Sequence, residues 1–510
     1  MKIWLDTTLL SQYAINESSN GYGYVNGYAD CGGGDCDSFP SSIVPFAPTL
    51  TKENRHRLYI CTLQLTKTLH IQECDGSLWL VCDPVGSGKI VVLDAEAHAL
   101  LERFRTPKTL QEIIADTVEC SSDLAKGVAL FISLGLLQDL DQPVSISEQV
   151  QSRTLSAWLH VTNACNLSCH YCYVDKTSEH MANDTSRRAV DAIIRSAVRH
   201  HYQQIQLKYA GGEAMLRLPQ LLAIHDYALE QARKYRLNLL AGILTNGVSL
   251  PQRFIDQLKE RQIRVMISLD GIGKHHDQQR PLVNGQGSFT LVDRTITRLL
   301  ASGLVPGINV TVTQSNLREL PALMEYILER DLPFTLNYYR DNECSTHLSD
   351  LQFTDTQMIN GMRMAFAYIE HHLPKRPLLG SLIDKASMST PHQYTCSMGL
   401  DYLVIDQRGG VAKCQADISN TVTTIAVDDP LQVIREDKNG IRAVAVDDKE
   451  GCRSCEWRYW CSGGCPLLTY RLTGRSDIKS PNCAIYKALF PEAVRLEALR
   501  LLEYEEPITL

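Results

Sequence analysis

From residue 153 to about 345, short apolar runs alternate with stretches whose apolar positions recur at helical spacing. The runs end at Val161, Ala210, Leu244, Leu269, Val312 and Tyr339, and each reads as a strand. Between them lie amphipathic helices, as in Ala189, Ile193, Ile194, Ala197 and Val198. Six strand–helix repeats predict an α/β domain with a parallel sheet curved into an incomplete (β/α)6 barrel. In such folds the chemistry sits at the C-terminal ends of the strands.

Residues 56–145 follow another order. Leu69-His-Ile-Gln-Glu73 alternates apolar and polar, Asp75-Gly76 supplies a hairpin turn, and Leu78–Cys82 and Lys89–Leu93 read as further strands. Helical patterns cover Ala95–Phe104, Thr109–Thr117 and Ser122–Leu134. Thr109 with Glu112 three residues on makes a capping box, and Gly135 suits a C-cap. Three strands then three helices predict a small winged-helix-like domain. Downstream, 346–395 reads as a mostly helical bridge, 396–490 as a cysteine-rich domain, and 491–510 as a closing helix. Residues 1–55 are rich in Gly, Ser, Asn and Tyr, notably Gly21–Tyr28 and Cys31-Gly-Gly-Gly-Asp-Cys36. Such a segment buries too little surface to offset its ordering entropy, so a flexible tail is expected.

Composition narrows the class. The 510 residues allow about three or four domains. A net charge of −8 implies no general affinity for nucleic acid. Asp6 interrupts the apolar start, which makes a poor secretory signal, and no run approaches the ~20 apolar residues of a membrane span. A cytoplasmic protein with neither nucleic-acid nor membrane partner is expected. Disulfides are disfavoured there, so the spaced groups among its 17 cysteines point to metal ligands.

The first group is Cys165-x3-Cys169-x2-Cys172, just past the first barrel strand. Three thiolates on a cubic four-iron cluster leave one iron open to a small molecule. Gly211-Gly212-Glu213 follows the second strand, Thr245-Asn246-Gly247 the third and Ser268-Leu269-Asp270-Gly271 the fourth. Alone, a CxxxCxxC could hold zinc and a Gly-Gly-Glu is usually a turn. Together, in this order at strand ends, they argue against coincidence. The set resembles the signature of radical S-adenosylmethionine (SAM) enzymes, which have a TIM-like barrel. The resemblance implies that SAM chelates the open iron and is cleaved to methionine and a 5'-deoxyadenosyl radical, which abstracts hydrogen. It assigns Gly211, Gly212 and Glu213 to the methionine amino group of SAM. It places Asn246, Ser268 and Asp270 facing SAM or substrate, and Arg280 near the SAM carboxylate. His170 and Tyr171 read as packing residues.

The second group runs Cys396, Cys414, Cys452, Cys455, Cys461, Cys465 and Cys483. It resembles the SPASM extension of peptide-modifying members of that family. The resemblance implies two auxiliary [4Fe-4S] clusters, three clusters in all. Cys396, Cys414 and Cys465 would hold the first, and Cys452, Cys455, Cys461 and Cys483 the second. Two zinc sites are the competing reading, although seven thiolates do not make two sets of four.

Sulfatase maturases of the family carry a further cysteine between the first two of this array and an aspartate directly after the second. Here there is none, and Gln415 follows Cys414, with Asp417 nearby. Residues 56–145 resemble the peptide-recognition domain (RRE) of ribosomal-peptide maturation systems. A precursor peptide whose leader adds as a strand near Ile90–Leu93 and the last helix is therefore the expected partner. An electron donor such as flavodoxin or ferredoxin is implied too. The expected reaction is an intrapeptide crosslink (carbon–sulfur or carbon–carbon) or a related oxidation. Alternatives are maturation of a folded protein, such as a sulfatase or amine dehydrogenase subunit, and a non-enzymatic zinc-stabilised scaffold. Asp417, Tyr339 and Asp341 are candidate substrate contacts. Gly21–Cys36 resembles a modifiable peptide in composition, but a tail is the preferred reading over a fused self-substrate.

Overall fold

The computed structural model describes residues 1–6, 57–117, 121–141, 152–343, 345 and 348–510. The expected flexible tail lies mostly outside these, as do Cys31, Cys36, Cys120 and Cys344. The tail's start does not fit that expectation: Lys2–Leu5 forms strand β1.

The N-terminal domain then supplies β2 (Leu63–Leu65), β3 (His70–Asp75), β4 (Leu78–Cys82) and β5 (Ile90–Leu93). Gly76 makes the β3–β4 turn at φ +56°, where a Cβ would be strained. Three helices follow, Ala95–Glu102, Leu110–Ala115 and Ser121–Ser133, and Thr109 and Glu112 form the expected capping box. Strand β6 (Leu137–Asp139) closes on β2. The main sheet of this domain runs β16–β1–β5–β4–β3, with β16 (Ile508–Thr509) from the far end of the chain. Ile90–Leu93 is therefore no free edge for a leader. It is wholly buried between β4 and β1, because four consecutive apolar residues suit an inner strand.

The barrel strands are β7 (Thr154–His160), β8 (Gln204–Ala210), β9 (Asn238–Thr245), β10 (Arg264–Ser268), β11 (Gly307–Val312) and β12 (Phe334–Tyr338). They pair in parallel, in sequence order, with helices between them. The sheet goes on past β7 to β13 (Tyr402–Ile405, parallel), then β14 (Gly410–Ala412) and β15 (Thr421–Thr424), both antiparallel. The cysteine-rich region thus shares the barrel's sheet. The 346–395 bridge is less helical than expected: helix Asp355–His371 is followed by irregular turns, where Pro374, Pro377 and Pro391 break regular bonding. The closing helix starts earlier than 491, spanning Cys483–Tyr504 through Pro491. Leu489, Phe490, Ala493 and Val494 bury its middle, and that packing outweighs one missing backbone bond. One continuous core joins Leu80 and Val92 of the N-terminal sheet to the barrel and this helix. Among the described residues, no helix is long and apolar enough to cross a membrane.

Candidate active site

The loop after β7 carries Cys165, Cys169 and Cys172. Its backbone is clamped to the segment after helix Lys274–Gln279: Ser168 N donates to Pro281 O (2.8 Å), His170 N to Gln279 O (3.1 Å), and Val283 N to Asn166 O (3.2 Å). The thiols are close enough to act on one another. Burial pushes the Cys169 thiol up to about 11, with Cys172 and Cys165 adding to the rise and Arg280 opposing it. Burial likewise raises Cys165, and Cys172 adds to that. Thiols at Cys165 and Cys169 whose ionisation is disfavoured, with Cys172 beside them on the same loop, suit a centre that takes cysteines as thiolates.

The residues at the other strand ends surround this loop. Gly211 and Gly212 sit against the backbone leading to Cys165: a Cβ would lie 2.4 Å from Thr162 O at the first and 2.5 Å from Asn163 O and Ala164 O at the second. Gly212 N and Glu213 N donate to Thr162 O and Ala164 O. The glycines therefore let two loops approach each other closely. Glu213 is buried and accepts from Met215 N (2.8 Å), Thr245 Oγ1 (2.8 Å) and Asn246 N (2.6 Å). Burial raises its pKa, against these bonds. A carboxylate accepts about four hydrogen bonds, so one acceptor position remains. Glu213 lines a cavity of about 120 Å³ with Asn166, Met215, Ser249 and Phe254. Asn246 donates to Asn166 Oδ1 (2.7 Å) and approaches the Cys165 sulfur at 3.8 Å. Ser268 is half-buried at the end of β10.

Asp270 and Arg280 meet at Tyr171, which is more than a packing residue. The Tyr171 hydroxyl donates to Asp270 and accepts from Arg280. Asp270 also accepts from Thr311 N at 2.8 Å. Burial raises the Asp270 carboxyl and Arg280 opposes it. Burial works against the Arg280 charge, yet Cys169, Tyr171 and Asp270 outweigh it. Arg280 Nε is buried without a protein partner, so the guanidinium retains a donor for a ligand.

The array falls into two groups. Cys396, Cys414 and Cys465 pack with Met398, Ile441, Leu467 and Leu468. Burial pushes the Cys414 thiol up to about 12, helped by Cys465 and Cys396. Burial pushes Cys461 up to about 12, helped by Cys452, Cys455 and Cys483. A tight turn at Ser462, Gly463 and Gly464, all with positive φ, carries the chain from Cys461 in one group to Cys465 in the other. Thr395 Oγ1 donates into it, to Gly464 O at 2.7 Å. Lys449 Nζ, buried, donates to Ser462 O (2.8 Å) and feels Cys452, Cys461, Cys396 and Cys465. Among the described residues, no three His, Cys, Asp or Glu side chains converge as one ion requires. A cubic cluster takes each thiolate on a different iron, so its cysteines surround a volume rather than a point.

Two residues that the sequence did not single out connect these regions. Burial raises the Tyr173 hydroxyl, and Cys172 of the first loop and Cys414 of the array both add to the rise. Lys449 stands between the two auxiliary groups. A tyrosine beside a motif cysteine and a lysine just before another are common, so neither carried a signal. The weaker candidates are engaged elsewhere. Arg471 joins Asp417 Oδ1 (3.2 Å) to the Asp341 carbonyl (2.7 Å), and the Tyr339 hydroxyl bonds Ser345 Oγ (2.8 Å).

A family model described as the radical SAM superfamily matches residues 159–327. Uncharacterized protein MJ0907 of Methanocaldococcus jannaschii is 30% identical over 224 residues, 43% of this chain and 74% of that protein. The cysteine-type anaerobic sulfatase-maturating enzyme of Clostridium perfringens (strain 13 / Type A) is 22% identical over 337 residues, 60% of this chain and 86% of that enzyme. The solved structure of native anSMEcpe with bound AdoMet and Cp18Cys peptide superposes with a TM-score of 0.54 at 18% identity, covering 68% of this chain and 99% of that one.

Proposed function

The chain belongs to the radical SAM superfamily, and we propose that it matures a ribosomally made peptide held by its N-terminal domain. The peptide reading rests on the N-terminal sheet, which takes in extended chain as an added strand, here the protein's own β1, while β3 at the other end of the sheet order has a neighbour on one side only among the described residues. Strand β1 joins β5 antiparallel, Ile3 opposite Leu93 and Leu5 opposite Val91. Main-chain bonds of this kind hold peptides with little regard to sequence, while alternate side chains give selectivity. The anSMEcpe fold, matched over 99% of its length, leaves about a third of this chain without a counterpart.

In this reading Cys165, Cys169 and Cys172 hold a four-iron cluster, and SAM bound at its open iron supplies hydrogen abstraction. Glu213 offers its remaining acceptor position to the SAM amino group, and Arg280 its free Nε to an anionic group. Asp270 and Tyr171 fix the Arg280 guanidinium beside Cys169. Cys396, Cys414 and Cys465 hold one auxiliary cluster of the SPASM kind, and Cys452, Cys455, Cys461 and Cys483 the other. A flavodoxin or ferredoxin would supply the electron.

Maturation of a folded protein is the second reading, favoured by the sulfatase-maturating relative. The missing cysteine between Cys396 and Cys414, and Gln415 in place of an acid, count against it. Anaerobic reconstitution tests the enzyme reading: about twelve irons per chain are expected, with SAM cleaved to 5'-deoxyadenosine. Zinc without iron or sulfide would sink it and leave the scaffold.

A further inference from the structure

We infer that Lys449 is a positioning residue shared by the two auxiliary groups: its buried ammonium supplies one positive charge to both and biases each toward accepting an electron. This rests on the auxiliary-cluster reading above.

The chain places Lys449 at the junction of the two groups. Cys452 N donates to Lys449 O at 3.1 Å, so the lysine starts beside one group. Its Nζ reaches Ser462 O, on the turn that runs from Cys461 to Cys465. Thr395, next to Cys396 of the other group, lies with its Oγ1 3.0 Å from the same Ser462 O. Gly463, at φ +77°, makes room for the side chain: a Cβ there would lie 2.5 Å from Lys449 Cδ and 2.8 Å from Nζ. The turn is thus shaped around this ammonium.

Lys449 lacks an anion of its own. It is 4% exposed, and its one hydrogen bond from Nζ among the described residues is to Ser462 O at 2.8 Å. An ammonium has three donors, so two remain. Lys413 shows the contrast. It is just as buried, yet its Nζ meets Asp437 O, Asn439 O and Ile441 O, and pairs with the Asp437 carboxylate at 2.7 Å. No carboxylate pairs with Lys449 among the described residues. A buried charge needs a partner. The groups that favour its charged form, against burial, are Cys452 and Cys461 of one set and Cys396 and Cys465 of the other.

The consequence is electrostatic. Each auxiliary cluster gains one negative charge when an external reductant gives it one electron. A fixed cation nearby stabilises that reduced state more than the oxidised one, so the potential of each cluster rises.

The test is a redox titration of the reconstituted full chain with dithionite, followed by electron paramagnetic resonance. The signal that changes on adding SAM belongs to the first loop and serves as the internal control. In Lys449→Met both other signals are expected to shift to lower potential. The oxidised-to-reduced ratio at a fixed potential should rise about tenfold, or about 59 mV for one electron. The SAM-responsive signal should not move. A shift of one auxiliary signal alone, of neither, or of all three equally overturns the inference. Lys449→Arg keeps the charge and is expected to recover most of the shift, whereas a shift as large as the methionine variant's overturns the role of charge. If the methionine variant fails to keep the array's irons, the arginine variant decides by iron content. Recovery of about eight array irons supports one shared cation, and recovery of about four or none overturns it. A parent chain with no signal besides the SAM-responsive one overturns the auxiliary-cluster reading and this inference with it.

Discussion

The first cysteine loop and the second cysteine array solve one problem in opposite ways. The loop draws three thiols from Cys165–Cys172 and holds them with backbone bonds to residues 279–283 and to the Gly211–Glu213 turn. The array draws seven thiols from Cys396–Cys483 and gathers them through side chains from distant segments. Lys449 reaches Ser462, and Lys413 Nζ reaches Asn439 O (2.8 Å) and Ile441 O (3.0 Å) beside Cys414. A loop held by its own backbone tolerates side-chain changes around it. An array held by single buried cations does not, because removing one strands several carbonyls at once.

The largest effect should come from the loop. Cys172→Ala is expected to abolish 5'-deoxyadenosine formation and to remove about four of twelve irons. If the variant still cleaves SAM, the loop is not the SAM site and the contrast disappears. Cys461→Ala is expected to cost the array about four irons while leaving SAM cleavage in place, with peptide product down about tenfold or more. Equal loss of both activities would mean that the two centres fold as one. The readouts are iron content, 5'-deoxyadenosine by chromatography and product by mass spectrometry.

A backbone change separates them further. Gly212→Ala would put a methyl 2.5 Å from Asn163 O and Ala164 O, so the loop segment leading to Cys165 must move. About 2 kcal/mol of stability should be lost, and the loop's irons should go before the array's. A variant with full iron and unchanged melting would show that the close approach is not needed.

The sequence revealed the loop better than the array's surroundings, and the barrel better than either end. Each barrel strand ends within one residue of its expected position, since six buried parallel strands write near-continuous apolar runs. The cysteine spacings pointed to the grouping because ligands close in sequence need few turns between them. Three things escaped. Lys2–Leu5 is too short to show a period, and its pairing with β5 depends on residues far along the chain. The role of Tyr171 depends on Asp270 and Arg280, both about a hundred positions away. Pro491 suggested a helix start, yet Ile485, Tyr486 and Leu489 are buried on the two preceding turns and carry the helix through it.

The smallest effect lies on the seam between the barrel and the array. Asp429 accepts from Ser196 Oγ and from His200 Nε2, each at 2.8 Å, and so ties barrel helix Asn183–Arg199 to helix Pro430–Glu436. Burial alone would raise its carboxyl, but these bonds and the Gln432 amide outweigh it and hold the pKa below 3.8. A folded-state pKa below the unfolded one means that this contribution is complete above about pH 4 and fades as pH falls through the folded value. Asp429→Asn should therefore lower the urea midpoint of the metal-free chain at neutral pH by an amount equivalent to about 1 kcal/mol. The gap between variant and parent should narrow below about pH 4. A gap constant from pH 7 to pH 3 would mean that the carboxylate's charge adds nothing, and that the array is held to the barrel by shared sheet and core alone.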